Sequence, residues 1–241
     1  MASSNLIRFS FIFVFLMQTS FGTDPLFHLC SNSSNFTAKS TYESNLKTLI
    51  NSLIYKTPST GFGIGSVGLA KYKNQQVYGL ALCRGDVSTL ECKTCVTEAT
   101  KEIKSRCPYN KGAGIWYDNC MFKYLNIDFF GKIDNTNKFS LINVQNVDNP
   151  IKFNNMTKDL LSLLAYEASM DKKMYASGEL KIGESERAYG LTQCTRDLSS
   201  VDCKKCLDDA ISELIPNGKK GGRVVGGSCN IRYEIYSFLE E

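Results

Sequence analysis

The stretch CRGDVSTLECKTC, Cys83 to Cys95, concentrates residue types that do chemistry. Its Cys92-x-x-Cys95 pair sits at the start of a helical pattern, where a lowered thiol pKa would suit a redox centre and where the same spacing makes half a zinc site. Arg84-Gly85-Asp86 spells a cell-adhesion tripeptide, and the three thiols together read equally as one corner of a disulfide framework. Zinc asks for two such pairs, or one pair with histidines, within one small domain. The chain holds a single His, His28, which also removes Ser-His-Asp triads, HExxH metalloproteases and imidazole general bases. No residue set resembles a hydrolase site, so no catalytic residue, metal or cofactor is assigned. GIGSVG, Gly63 to Gly68, matches GxGxxG in letters, but a strand follows it instead of preceding it, and it reads as a loop.

The compartment decides among the thiol readings. The chain opens MASSNLIRFSFIFVFLMQTSFGTD, where Arg8 precedes an apolar run from Phe9 to Met17 and then the small-residue pattern around Ser20 to Gly22. This reads as a secretory signal over residues 1–22, cut after Gly22, and is too short to span a bilayer, which takes about 20 apolar residues. All ten cysteines follow it. In an oxidising compartment an even count favours bridges over metal thiolates or cytosolic redox sites. The sequons at Asn32, Asn35 and Asn155 become glycan acceptors for the same reason. The net charge of +4 forms no basic stripe in either half, which argues against nucleic acid as a partner.

The elements that must position these residues occur twice. VYGLALCRGDVSTLECKTCVTEATKEI, residues 77–103, matches AYGLTQCTRDLSSVDCKKCLDDAISEL, residues 188–214, without a gap. The RGD tripeptide loses weight here, because the second copy reads Thr195-Arg196-Asp197 at that place. The match predicts two domains, 23–131 and 138–241, joined by the polar run KIDNTN. Each begins with a helix, its apolar positions being Tyr42, Leu46, Leu49, Ile50 and Leu53 in the first and Leu160, Leu161, Leu164 and Ala168 in the second. Strand-like runs follow, VGLAKYKN and QVYGLALC, then KMYASGELK and RAYGLTQC. A second helix starts at a capping-box spacing, Ser88 with Glu91 and Ser199 with Asp202. Hairpin strands close each copy, with Cys229, Ile231, Tyr233 and Ile235 on one face and Arg232, Glu234 and Tyr236 on the other. The predicted fold class is α+β: two tandem domains, each an antiparallel sheet packed against two helices.

The spacing Cys-x8-Cys-x2-Cys at 83/92/95 and again at 194/203/206, with YGL before it and RYEIYSF near the end, resembles the plant cysteine-rich repeat secretory proteins, whose domain is that of ginkbilobin. The resemblance covers essentially the whole chain after the signal and implies secretion to the apoplast. It implies the bridges Cys30–Cys107, Cys83–Cys92 and Cys95–Cys120, with Cys194–Cys203 and Cys206–Cys229 in the second copy. It further implies mannose-type glycan or cell-wall recognition in defence or stress through an Asn, an Arg and a Glu. These positions read Ser31, Gly114 and Leu125 in the first copy, and Asn143, Arg223 and Glu234 in the second. The plainer reading makes Arg223 and Glu234 an exposed cross-strand ion pair and Asn143 a turn residue. Two further readings stand beside sugar binding. One is an extracellular protein-interaction module or homo-oligomer presenting Tyr236 and Phe238, and the other is a thiol oxidoreductase, which needs one Cys-x-x-Cys free.

Overall fold

The computed structural model describes residues 24–31, 34–69, 71–134, 136–183, 186–215 and 217–239. The signal reading and the Asn32 sequon lie outside the described residues. The first copy runs β1 (Phe27–Cys30), α1 (Thr41–Thr60), β2 (Phe62–Val67), a short 3-10 turn, β3 (Val77–Cys83), α2 (Thr89–Arg106), β4 (Ala113–Trp116) and β5 (Cys120–Leu125). The second repeats it as β6 (Lys138–Ile142), α3 (Pro150–Met170), β7 (Tyr175–Lys181), β8 (Arg187–Cys194), α4 (Ser200–Leu214), β9 (Gly221–Gly226) and β10 (Cys229–Glu234). Each copy is an antiparallel five-stranded sheet, in the order β1-β4-β5-β3-β2 and β6-β9-β10-β8-β7, with two helices on one face. The α+β class is therefore realised twice.

Local chemistry sets the helix ends. Ser88 accepts from the Glu91 backbone N–H while the Glu91 carboxylate accepts from the Ser88 N–H, a complete capping box; Ser199 accepts from the Asp202 N–H at 3.0 Å in the second copy. Helix α1 stops at Gly61, whose φ of 77° is the left-handed conformation that ends helices most cheaply on glycine. The sheets receive the helices closely: a Cβ at Gly79 would lie 2.9 Å from Leu49, and one at Gly190 would lie 2.9 Å from Leu164.

Two expectations change. GIGSVG is not a loop: Gly63 and Gly65 belong to strand β2, which pairs with β3 from Phe62↔Leu82 to Val67↔Val77. The letters are glycine because α1 crosses directly over the strand; a Cβ at Gly63 would stand 2.3 Å from the Thr57 hydroxyl. VGLAKYKN, read as a strand, is largely the turn leading from β2 through the 3-10 segment Lys73–Gln75. The outer strands β1 and β6, short and half-exposed, have no counterpart in the sequence reading.

The disulfides join Cys30 to Cys107, Cys83 to Cys92, Cys95 to Cys120, Cys194 to Cys203 and Cys206 to Cys229. No cysteine is free, so in neither Cys-x-x-Cys are the two sulfurs partners, and the dithiol and half-zinc readings fall.

The copies meet through the sheet faces that the helices leave bare. One row of neighbouring residues crosses the first sheet as Phe27, Trp116, Met121, Leu82 and Phe62, and one crosses the second as Phe139, Val225, Asn230, Gln193 and Tyr175. Leu80, Leu82, Trp116, Met121 and Val225 form a buried cluster of their own between the sheets. Its polar atoms are matched across the join: the Trp116 indole N–H donates to Gly226 O at 3.0 Å and the Gln193 amide to Cys83 O at 2.9 Å, both buried. The RGD tripeptide lies in this join and is no adhesion loop. Arg84, buried, and Asp86, largely covered, bond each other at 2.6 Å, and Gly85 lies flat under the Tyr175 ring. A Cβ there would be 2.2 Å from that ring. Gly85→Ala should therefore cost about 1–3 kcal/mol by overpacking, measured as a lowered denaturation midpoint. An unchanged midpoint would mean that the two copies do not press on each other here.

Candidate functional site

The bare face of the second sheet carries the residues singled out for sugar binding. One row beyond the interface come Leu141, Arg223, Arg232, Leu191 and Ser177; the next row holds Gly221 and Glu234, with Asn143 joined to it by its N–H to Gly221 O at 3.0 Å. Arg223 and Glu234 are thus brought to one face, and Asn143 lies at its edge. Gly221 leaves room for the Glu234 carboxylate, since a Cβ there would be 1.9 Å from it and would turn that side chain aside.

The pairing differs from an exposed Arg223–Glu234 bridge. Both side chains are buried, and the residue directly opposite Arg223 is Arg232. Arg223 Nη2 donates instead to Asp118 Oδ1 at 2.6 Å, reaching from the second copy to the β4–β5 turn of the first, and Arg232 lies 3.5 Å from the same oxygen. Glu234 accepts from Arg232 Nε at 3.2 Å, and Asn143 Oδ1 accepts from the Gln145 N–H at 2.8 Å. Burial and the adjacent Arg232 charge draw the Arg223 pKa down against the pull of Asp118. Burial pushes Asp118 up, but the charges of Arg223, Arg232 and Arg84 outweigh it and hold the carboxyl below its usual range. Arg223, Asp118, Arg232 and Glu234, in that order, therefore form one alternating charge chain. It clamps the copies together as built, and it commits one of the five Arg223 N–H donors to Asp118.

The same rows in the first sheet hold Leu29, Gly114, Lys123 and Leu80, then Gly112 and Leu125. Lys123, buried, is ion-paired with Asp134 of the connecting segment and lies 4.4 Å over the Phe129 ring. Arg232 stacks at 4.0 Å on Phe238 in the second copy. Phe238 is thus half-buried under a guanidinium and is not part of an exposed aromatic surface; Tyr236 is exposed and accepts from Arg232. The sequence carried this signal unread: CMFKYLNIDF and CNIRYEIYSF align from Cys120 and Cys229, placing cation over cation and phenylalanine over phenylalanine. Asp118, Asp134 and Trp116 were not singled out either, because each acts across the join and only the folded chain brings their partners near.

Of the sequons, Asn35 and Asn155 are exposed. Thr157, the hydroxyl residue of the latter, is buried on α3, so a transferase would have to read that sequon before the helix docks.

Two disulfide-pinned α+β copies locked face to face, without a free thiol, define the class: a tandem cysteine-rich module of the ectodomain type. A family model described as salt stress response/antifungal matches residues 29–127 and 141–236, and the chain belongs to that family. Relatives include an antimicrobial ginkbilobin-2-like protein of Castanea crenata, 56% identical over 100% of both chains. Cysteine-rich repeat secretory protein 38 of Arabidopsis thaliana is 52% identical, over 89% of this chain and 86% of its own. Among solved structures, the tandem DUF26 ectodomain of the Arabidopsis thaliana cysteine-rich receptor-like protein PDLP8 superposes with a TM-score of 0.78 at 26% identity, covering 88% of this chain and 98% of its own. None of the described helices is long and apolar enough to cross a membrane.

Proposed function

We propose that the protein is a non-enzymatic recognition module of the plant apoplast, of the antimicrobial or stress-response kind, that engages an extracellular protein or wall component through the outer surface of a rigid two-copy body. Domains 23–131 and 138–241 act as one unit in this reading. The observation that carries it is the Asp118–Arg223 contact across the join, which helps to fix one copy on the other. The names of the relatives, antimicrobial and secretory, support the setting. Glycans on Asn35 and Asn155 belong to the same reading, as does self-association into a homo-oligomer.

A second reading, mannose-type glycan recognition through Asn143, Arg223 and Glu234, is favoured by the common sheet face that Arg223 and Glu234 share. It requires the sugar hydroxyls to share the Arg223 guanidinium with Asp118. The two readings part in one experiment: binding of the wild type and of an Arg223→Ala/Glu234→Ala double variant to mannan and to fungal cell wall. The module reading expects wall binding that free methyl mannoside does not compete and that the double variant retains within about twofold. Mannoside-competed binding lost in the double variant would overturn it in favour of the lectin.

A further inference from the structure

The duplication offers an internal comparison that points to a second site. Where the second sheet places Arg223 and Glu234, the first places Gly114 and Leu125, removing one long side chain and both charges from the corresponding patch. A cavity of about 320 Å³ opens there, between the bare face of the first sheet and the connecting segment. Leu29, Leu125 and the indole of Trp116 wall it together with the Ala113–Gly114 backbone, Ile127 stands at its mouth, and Lys123 reaches into it. Gly114 shapes the wall: a Cβ there would be 2.8 Å from the Trp116 ring, so the missing side chain lets the indole lie across the strand. Polar groups are few. They are Ser31, the Asn126 carboxamide, and Thr136 and Asn137 on the connecting segment.

We infer that this cavity binds a neutral single-ring molecule with an apolar face and a hydroxyl group, of the phenol class. Its size fits, because about 150 Å³ of apolar cavity already takes benzene and ligand sites begin at about 300 Å³. Its walls favour an aromatic ring over a pyranose, whose hydroxyls all round the ring would each need a partner that the apolar side chains of Leu29, Trp116 and Leu125 do not supply. Charge excludes an anionic ligand. The Lys123 ammonium is already held by Asp134, which also accepts from the Thr136 hydroxyl at 2.9 Å and the Asn137 amide at 2.6 Å, so an entering carboxylate would meet a buried carboxylate with no spare cation. A ligand hydroxyl can donate to the Asn126 carboxamide oxygen, whose amide nitrogen is turned to Ser34 Oγ at 3.5 Å.

Trp116 is the single tryptophan of the chain, so the site carries its own reporter. Titration of the full secreted chain with 4-hydroxybenzyl alcohol, read by Trp116 fluorescence excited beyond the phenol band and by calorimetry, should saturate at one ligand per chain; methyl mannoside should give no saturable signal. Leu29→Lys, on a half-exposed edge strand, and Ile127→Asp at the mouth should each weaken binding at least tenfold. Leu141→Lys, a similarly exposed leucine on strand β6 outside the cavity, should leave it unchanged. Absence of saturation up to millimolar phenol, or saturation that Leu29→Lys and Ile127→Asp both leave intact, would overturn the assignment.

Discussion

Lys123→Met should destabilise the protein by about 3–5 kcal/mol, because removing one partner of a buried ion pair leaves the other charge uncompensated. Lys123 and Asp134 have side-chain exposures of only 4% and 10%, and the ammonium also sits over Phe129. Burial pushes the Asp134 carboxyl up, but the Asn137 amide and the charge and hydrogen bond of Lys123 outweigh it and hold the group far below the ordinary carboxylate range. A depressed folded pKa means that this stability is fully present above the unfolded value, near pH 3.9, and is lost as the pH falls towards the folded one. The deficit of the variant should therefore be largest at neutral pH and shrink on acidification below about pH 4. Urea denaturation at pH 7 and pH 3 reads both effects. In a double-mutant cycle, Lys123→Met with Asp134→Asn should recover much of the loss, and a strictly additive cycle would refute the coupling.

Removing the bridge Cys30–Cys107 by paired serine substitution should cost about 2–4 kcal/mol, the usual range for a native disulfide. It spans 77 residues, the longest separation of the five, and ties the edge strand β1 to the end of α2. The second copy has no counterpart, and its edge strand β6 is held by pairing with β9 and by the ion pair of Lys138 with Glu213. Under graded reduction the second copy should therefore lose amide-exchange protection before the first. Earlier loss in the first copy would show that loop closure is not what distinguishes them.

The order of helices and inner strands was legible because each is written twice and carries a strong period: Leu49 and Leu53 over Gly79 repeat as Leu160 and Leu164 over Gly190. The outer strands β1 and β6 were not, although the edge strand β7 was read within KMYASGELK. Phe27–Cys30 and Lys138–Ile142 are short and half-exposed, so neither alternation nor length marks them. The glycines of β2 misled for a related reason, since glycine signals a turn in isolation and a close helix crossing in context. Arg223 and Glu234 could be picked out by type and position, but not their partners. Asp118 is 105 residues from Arg223, in a turn whose only distinction is to face the other copy.

The two interface rows are unlike: Phe, Trp, Met, Leu and Phe in the first sheet stand against Phe, Val, Asn, Gln and Tyr in the second. Leu82 and Gln193 occupy equivalent places, as do Trp116 and Val225, so the join sets a large apolar face against a smaller and more polar one. The ancestral unit has thereby become a heterodimer written on one chain, whose halves diverged into plug and socket. The seam is therefore written for one copy of each kind, in the way that a lock is cut for its key.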